Sequence, residues 1–599
     1  MAKVAPKGRE LPRRYAAACF GVGVGLFVLV LYLRTLAPTV LYYDRPEMFD
    51  SAMLQAAAPV LGIGHPTGYP TYMILAKLFT YLPFGDAAYR VNLLSAVFGA
   101  VAVTFVYLAG LRLSRTPVAA AVGALAFGLA PIFWSQAVIA EVYTLNATFV
   151  ALIVYLLLRW RDGRRDGQLL LAVFFTGLAL TNHLTSALLL PAALVFAGSV
   201  DRSILRRPRL LLKGAGLFAA GLLPYLYLPA RAVMQAPLNE ADPSTPERFL
   251  TLVTGGNFLL KLLLDAEGSR AAGGLDGSGY DNLWAGGWQV LQTAAGRLSP
   301  AGEYVGGQFP ALLLLVGAAG AIYLAVTDRP AALGLGLPFV GWSIHALTYT
   351  VEDFYVFFIP AYLVFGLFVA AGAGVALRGA ERLTRVMHAR ERRIAAAAVA
   401  LIMLAAPLAG APATYAAEDR SEDYRGSRLL DTVAEKTERG ATVLHHRSSL
   451  WYMVLVQERR TDLTLIDPFE TSWVRYTDMV WPESVDAEEA ADRYGTDDTS
   501  GIEAARRAAA GGAVYLLDQD VDGVGDFRDA GFSVRPVGDR GELYELVPKK
   551  RNREQSAPPP EPRWRRAAEA QIDEICRAWS QCRASGGADM RGSNARGRP

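Results

Sequence analysis

About eleven apolar stretches, parted by short loops in which Lys and Arg collect on alternate sides, constrain this chain more than anything else in it. A helix needs about 20 apolar residues to cross a bilayer, and hydrocarbon tolerates only a backbone whose hydrogen bonds are satisfied internally. The 599 residues are 52% hydrophobic and 19% charged, with a mean hydropathy of +0.24. A soluble protein of this length carries more charge than that. The expectation is a polytopic α-helical membrane protein of about eleven transmembrane helices with a C-terminal soluble α/β domain. The net charge of +3 gives no reason to expect nucleic acid, because the basic residues lie in the loops and report orientation.

Lys3, Lys7, Arg9, Arg13 and Arg14 place the N-terminus in the cytoplasm. The first span, residues 15–37, is too long for a signal-peptide core and lacks a small-x-small cleavage site, so it reads as an uncleaved anchor. Further spans are expected near residues 89–111, 117–133, a fourth ending at Arg159, then 168–180, 186–198, 214–228, 309–326, 332–348, 354–377 and 394–412. Residues 69–84 are apolar enough to count as another span. Counting them would invert every later loop and put the basic clusters outside, so they are expected to form an interfacial or re-entrant helix. The resulting order puts the protein in the plasma membrane with its C-terminal domain external.

The chain divides into a membrane domain at 1–413, an α/β domain at 414–547 and a basic, Pro-rich tail at 548–599 that is expected to be disordered. Within the second, residues 440–444, 463–466 and 513–517 read as strands and 449–458 as a helix.

Ionisable residues beside a membrane are costly to desolvate, so their placement carries information. The external face gathers Asp44, Glu47, His65, Glu141, Asn182, His183, Arg231, Asn239, Asp242 and Asp353 from separate loops. Asp44 and Glu47 can serve as a general base and its partner, or the first can cap a helix beginning near Met48. His65, in the stiff segment His65-Pro66-Thr67-Gly68-Tyr69-Pro70, can hold a phosphate or an acid, or can belong to a structural turn. Glu141, Asn182 and His183 suit a polar substrate pocket, with satisfaction of broken-helix backbone as the plainer alternative. Arg231 is placed to bind a lipid-linked phosphate through its two-pronged guanidinium, or to snorkel to headgroups. No phosphate-binding glycine loop, dinucleotide fingerprint, serine elbow or paired-cysteine cluster is present, so an already activated donor is implied.

Several of these segments resemble one family in order. Asp44-Arg45-Pro46-Glu47, the His65–Pro70 segment, Phe133-Trp134-Ser135-Gln136, Glu141-Val142-Tyr143-Thr144-Leu145-Asn146, Asn182-His183-Leu184-Thr185 and Tyr225-Leu226-Tyr227-Leu228-Pro229-Ala230-Arg231 with Asn239 and Asp242 are similar to signatures of GT-C membrane glycosyltransferases, closest to the protein O-mannosyltransferase-like branch. The chain departs from the family in having Arg45-Pro46 between its acids and Thr67 where a proline is usual. The resemblance implies catalytic roles for Asp44 and Glu47 and substrate-binding roles for His65, Glu141, Asn182, His183, Arg231, Asn239 and Asp242. It further implies transfer of mannose or another hexose from a polyprenyl-phosphate-linked sugar donor to an external acceptor hydroxyl, on protein or glycan. No cofactor is certain; a divalent metal between the two acids is an option. The rival is a lipid-linked sugar or polysaccharide transporter, which should show internal repeats and polar groups at mid-membrane depth. A ligand sensor is a third reading.

Overall fold

The computed structural model describes residues 10–42, 48, 50–239, 242–255, 304, 306–349, 353–446, 448–467, 475–476, 500–517, 523–538 and 542–549. Asp44, Glu47 and the tail beyond 549 therefore lie outside the described residues.

Among the described residues seven helices are long and apolar enough to cross a membrane: Tyr15–Thr35, Ala87–Ser114, Tyr143–Gly163, Pro208–Val233, Arg329–Thr348, Phe354–Val386 and Ala389–Glu418. An eighth span arises if Pro117–Gly128 and Pro131–Ala137, bent by 69°, count as one. Three shorter apolar helices, Asp166–Leu180, Leu184–Val200 and Ala311–Thr327, complete the set. Each stretch marked by hydropathy is thus helical. At 1.5 Å per residue a 15-residue helix reaches only about 22 Å, so whether the short ones span depends on neighbours and local bilayer thickness.

In chain order the elements that position the site are α1 (Glu10–Thr35), α2 (Ser51–Val60), α3 (Pro70–Phe79), α4 (Ala87–Ser114), α5 (Pro117–Gly128), α6 (Pro131–Ala137), α7 (Tyr143–Gly163), α8 (Asp166–Leu180), α9 (Leu189–Val200) and α10 (Pro208–Gly221). α4 is the hub, packed on α1, α5 and α7, with its Asp86 side chain accepting from Tyr89 N at 2.7 Å as an N-cap. α3 has ten residues, too few to cross, and turns Thr71, Tyr72, Met73 and Ala76 into the protein while Leu78 faces out. It begins on Tyr69 and Gly68, both at positive φ; a glycine is suited to the second, where a Cβ would also lie 2.8 Å from Leu228.

The α/β region contains a five-stranded sheet. Its strands are β2 (Thr442–Leu444), β3 (Thr464–Ile466), β5 (Val514–Leu517), β6 (Phe532–Val537) and β7 (Leu543–Pro548), in the order β3-β2-β5-β7-β6. β3, β2 and β5 are parallel and β7 runs against β5. The sequence pattern marks the three parallel strands, whose near-continuous apolar runs are typical of a strand covered on both faces. It misses β6 and β7, in which most residues are only partly buried or exposed. A separate antiparallel pair joins β1 (Leu238–Asn239) to β4 (Arg475–Tyr476). The Leu450–Leu455 helix packs on α2, and Tyr452 Oη accepts from Ala88 N at 3.2 Å. Met1–Val547 form one compact unit.

Candidate active site

The segment leading to Asp44 is clamped by side chains from α2 and α4. Gln55 Oε1 accepts from Leu41 N at 2.9 Å, Gln55 Nε2 donates to Asn92 Oδ1 at 2.7 Å, and Asn92 Nδ2 donates to Ala37 O at 3.0 Å. Thr39 adds a hydroxyl bond to Asp86. All of Gln55 and Asn92 is buried, so these bonds satisfy groups that would otherwise be costly to desolvate. Arg90, two residues before Asn92, donates to Thr80 O, Phe84 O and Gly85 O and shapes the loop before α4.

A few residues beyond Asp44 and Glu47, Asp50 and Ser51 both enter a polar cluster. Asp50 Oδ2 lies 3.2 Å from His65 Nε2, which is also 2.8 Å from Tyr69 Oη. Ser51 Oγ donates to Glu141 Oε1 at 3.2 Å, and the Glu141 main chain exchanges hydrogen bonds with Ser95 Oγ at 3.1 Å. Glu141 is 2% exposed. Burial, and after it the charges of Asp50 and Asp353, push its carboxyl well above the ordinary range. Such surroundings favour the neutral form of the carboxyl over the charged one.

Aromatic rings wall this cluster. Tyr69 stacks on His183 with centroids 6.2 Å apart, and Tyr143 and Phe357 approach the same imidazole at 5.4 and 5.9 Å. His183 Nδ1 is 2.6 Å from Thr185 Oγ1. Burial, aided by His345 and His65, lowers its pKa to about 3, so the ring is neutral and offers hydrogen bonds without charge. Asn182 Nδ2 donates to Val142 O at 3.3 Å, while its buried Oδ1 meets no donor among the described residues. Acid, imidazole and amide beside aromatic rings are the groups that suit a sugar, whose hydroxyls need partners and whose C–H faces pack on rings.

His65, Glu141, Asn182 and His183 therefore lie in one cluster. Arg231 stands at the other end of α2. Its Nε donates to Leu61 O at 2.7 Å and Nη2 to Val60 O at 3.2 Å, with Nη1 near Met234 Sδ, so two of its donors cap the C-terminus of α2. Asn239 belongs to β1, bridges Ile63, and accepts from Asp242 N at 2.9 Å. Asp242 is paired at 2.7 Å with Arg248. These three hold the 61–65 turn and the loop beyond β1.

The sequence reading passed over Asp50, Ser51, Tyr69 and Tyr143. Asp50 had a signal: a third acid three residues after Glu47, one helical turn on. It also passed over a pair in the α/β region, where His446 Nδ1 lies 3.1 Å from the fully buried Asp467 at the carboxyl ends of the parallel strands β2 and β3. Among the described residues no three His, Cys, Asp or Glu side chains are grouped to hold a metal. A metal here would need Asp44 or Glu47.

Residues 50–202 match the family profile described as the protein O-mannosyl-transferase TMEM260 N-terminal domain. Protein O-mannosyl-transferase TMEM260 of Mus musculus is 36% identical over 211 residues, 34% of this chain and 30% of the mouse protein. Its Dictyostelium discoideum counterpart is 24% identical over 145 residues, 23% of this chain and 18% of that one. The matched part thus spans less than a third of either relative. Among solved structures, ArnT from Cupriavidus metallidurans bound to undecaprenyl phosphate superposes with a TM-score of 0.54 at 14% identity, covering 88% of this chain and 97% of ArnT. The apo form of the same protein gives 0.52 at 15% identity, over 89% and 98%. The chain is an integral membrane protein of the GT-C fold whose residues 50–202 carry the likeness to the TMEM260 branch.

Proposed function

We propose that this protein is a membrane glycosyltransferase that moves a hexose from a polyprenyl-phosphate carrier to an external hydroxyl, on a protein Ser or Thr. The observation that carries the reading is the cluster of Asp50, His65, Glu141 and His183, the first two half-buried and the last two buried, walled by Tyr69 and Tyr143 and beginning just after the segment that bears Asp44 and Glu47. The names of the mouse and Dictyostelium relatives support the reaction class, and the lipid in the ArnT structure supports the carrier.

In this mechanism Asp44 takes the proton of the acceptor hydroxyl while its oxygen bonds to the sugar C1. The bond from C1 to the phosphate oxygen breaks with its electron pair, and polyprenyl phosphate leaves. Glu47 orients Asp44. Glu141 keeps its proton and donates a hydrogen bond, and neutral His183 with Asn182 binds sugar hydroxyls. The N-terminus is cytoplasmic and the site external, at the plasma membrane. A transporter is disfavoured because these polar groups gather at one end of the helices instead of along a path through them.

The test is to incubate purified protein with a panel of polyprenyl-phosphate sugars and a Ser/Thr peptide. Glycopeptide formed from one donor is the expected result. Binding of every donor with no transfer to any acceptor would remove the reading.

A further inference from the structure

α8 and α10 start at the same end of the bundle and meet closely further along. A Cβ on Gly177 would lie 2.4 Å from Phe218 O, and one on Gly221 2.4 Å from Phe174 O, so the two backbones touch there. Nearer their starts the gap holds a cavity of about 450 Å³, lined by Asp166 and Leu170 on one side and by Arg207, Arg209, Leu210 and Lys213 on the other. That volume is within the range of about 300–1,000 Å³ typical of small-ligand sites. α8 runs from Asp166 at this cavity to Leu180, two residues before Asn182 of the candidate site. The two places are therefore separated by the length of a 15-residue helix, about 22 Å.

The cavity carries more positive charge than its own carboxylates neutralise. Arg207 is bonded to Asp166 and lies 3.9 Å from Asp201. Arg209 and Lys213 meet no carboxylate among the described residues, although they stand one turn apart on α10. Like charges at that spacing repel unless an anion lies between them. Beside them the surface is apolar: Leu205 is 80% and Leu212 76% exposed. In water such leucines would be a liability, whereas next to acyl chains they are satisfied. Cations at a helix start flanked by outward leucines describe the boundary between headgroup and hydrocarbon.

We propose that this cavity binds the phosphate of an anionic phospholipid headgroup, in the leaflet that faces the basic loops. Arg209 and Lys213 hold the phosphate oxygens, Arg207 is kept in place by Asp166, and the acyl chains lie along Leu205, Leu211 and Leu212. The site is independent of the transfer reaction.

Native mass spectrometry of the full-length protein, released from micelles doped with phosphatidylglycerol or phosphatidylcholine, tests it. Wild type should retain phosphatidylglycerol selectively, and Arg209→Gln with Lys213→Gln should weaken that retention about thirtyfold, the loss expected for two interfacial cations. Arg209→Lys, which keeps the charge, should retain it, and an unchanged melting temperature would show that the double variant folds. Equal retention of both lipids by wild type, or unaltered affinity in the double variant, would overturn the proposal. So would stabilisation by millimolar inorganic phosphate equal to that by phosphatidylglycerol, since the site would then take soluble anions.

Discussion

Arg231→Ala separates two roles that the structure and the sequence assign differently to one side chain. Its guanidinium donates to Leu61 O at 2.7 Å and Val60 O at 3.2 Å, the last carbonyls of α2. A hydrogen bond to a charged group contributes about 1.5–3 kcal/mol when buried, and a cation at a helix C-terminus about 0.3–1 kcal/mol. Arg231 is only partly buried, and water can reach the freed carbonyls, so the low end applies. The expected loss is about 2 kcal/mol, read as a fall of a few degrees in melting temperature. Arg231→Lys can keep the charge and one bond and should lose about half as much. Because α2 carries Asp50 and Ser51 at its other end, the Ala variant should also lower the turnover of transfer without a selective rise in donor KM. Scanning fluorimetry and donor titration on the same preparations check both. An unchanged melting temperature with a donor KM raised tenfold would refute the capping argument and make Arg231 a ligand of the donor phosphate.

Asp44→Asn should lower transfer about 10²- to 10⁴-fold while donor binding persists, as expected for loss of a general base; single-turnover assays with labelled donor measure it, and near-normal turnover would shift the role to Asp50. Glu47→Gln should be milder, and a chelator should leave wild-type activity intact; loss of activity that Mn²⁺ or Mg²⁺ restores would mean that the acids share a metal. Glu141→Gln should stay within about tenfold of wild type at neutral pH, because the amide resembles the protonated carboxyl that burial favours; a loss above about 10²-fold would mean that Glu141 works as an anion. Stability should fall on acidification: burial lowers His445 to about 4 and His183 to about 3, so the folded chain resists protons that the unfolded chain accepts below about 6.5. Their contribution is present above pH 6.5 and is lost progressively down to about pH 3–4, and melting temperature against pH should be flatter in His445→Gln.

The membrane helices were legible because their signal is local: apolar runs of span length read the same in any tertiary setting. In the segment at 69–84, which loop charge argues against counting as a span, the helix α3 has ten residues, too few to cross. The cluster of His65, Glu141, Asn182 and His183 was legible for a related reason, since topology sorts loops to one end and few polar residues are available there. Partners were not legible. Whether Arg231 faces a lipid phosphate or the end of α2 depends on a tertiary contact across 170 residues of sequence, which hydropathy does not encode. Asp50 was overlooked because the helix start at Ser51 makes it look like an ordinary first-turn acid, and only the fold brings it to His65. β6 and β7 are for the most part only partly buried or exposed and lack the apolar runs that revealed the inner strands.

The sequence sets residues 414–547 apart as a domain of their own. Its contacts argue otherwise. The Leu450–Leu455 helix covers α2, the helix that begins beside Asp50, and Tyr452 binds the first turn of α4. β4, eight residues after Asp467, pairs with β1, which in turn bridges Ile63, two residues before His65. Arg420 N donates to Thr35 O at 3.0 Å, tying the start of the region to the end of α1 just before the segment that carries Asp44. Removing the region would expose the buried face of α2 and free one side of the 61–65 turn. Deletion is therefore expected to abolish transfer through loss of the site's geometry, which makes the loop residues of the membrane domain and the strands of the α/β region parts of one catalytic body.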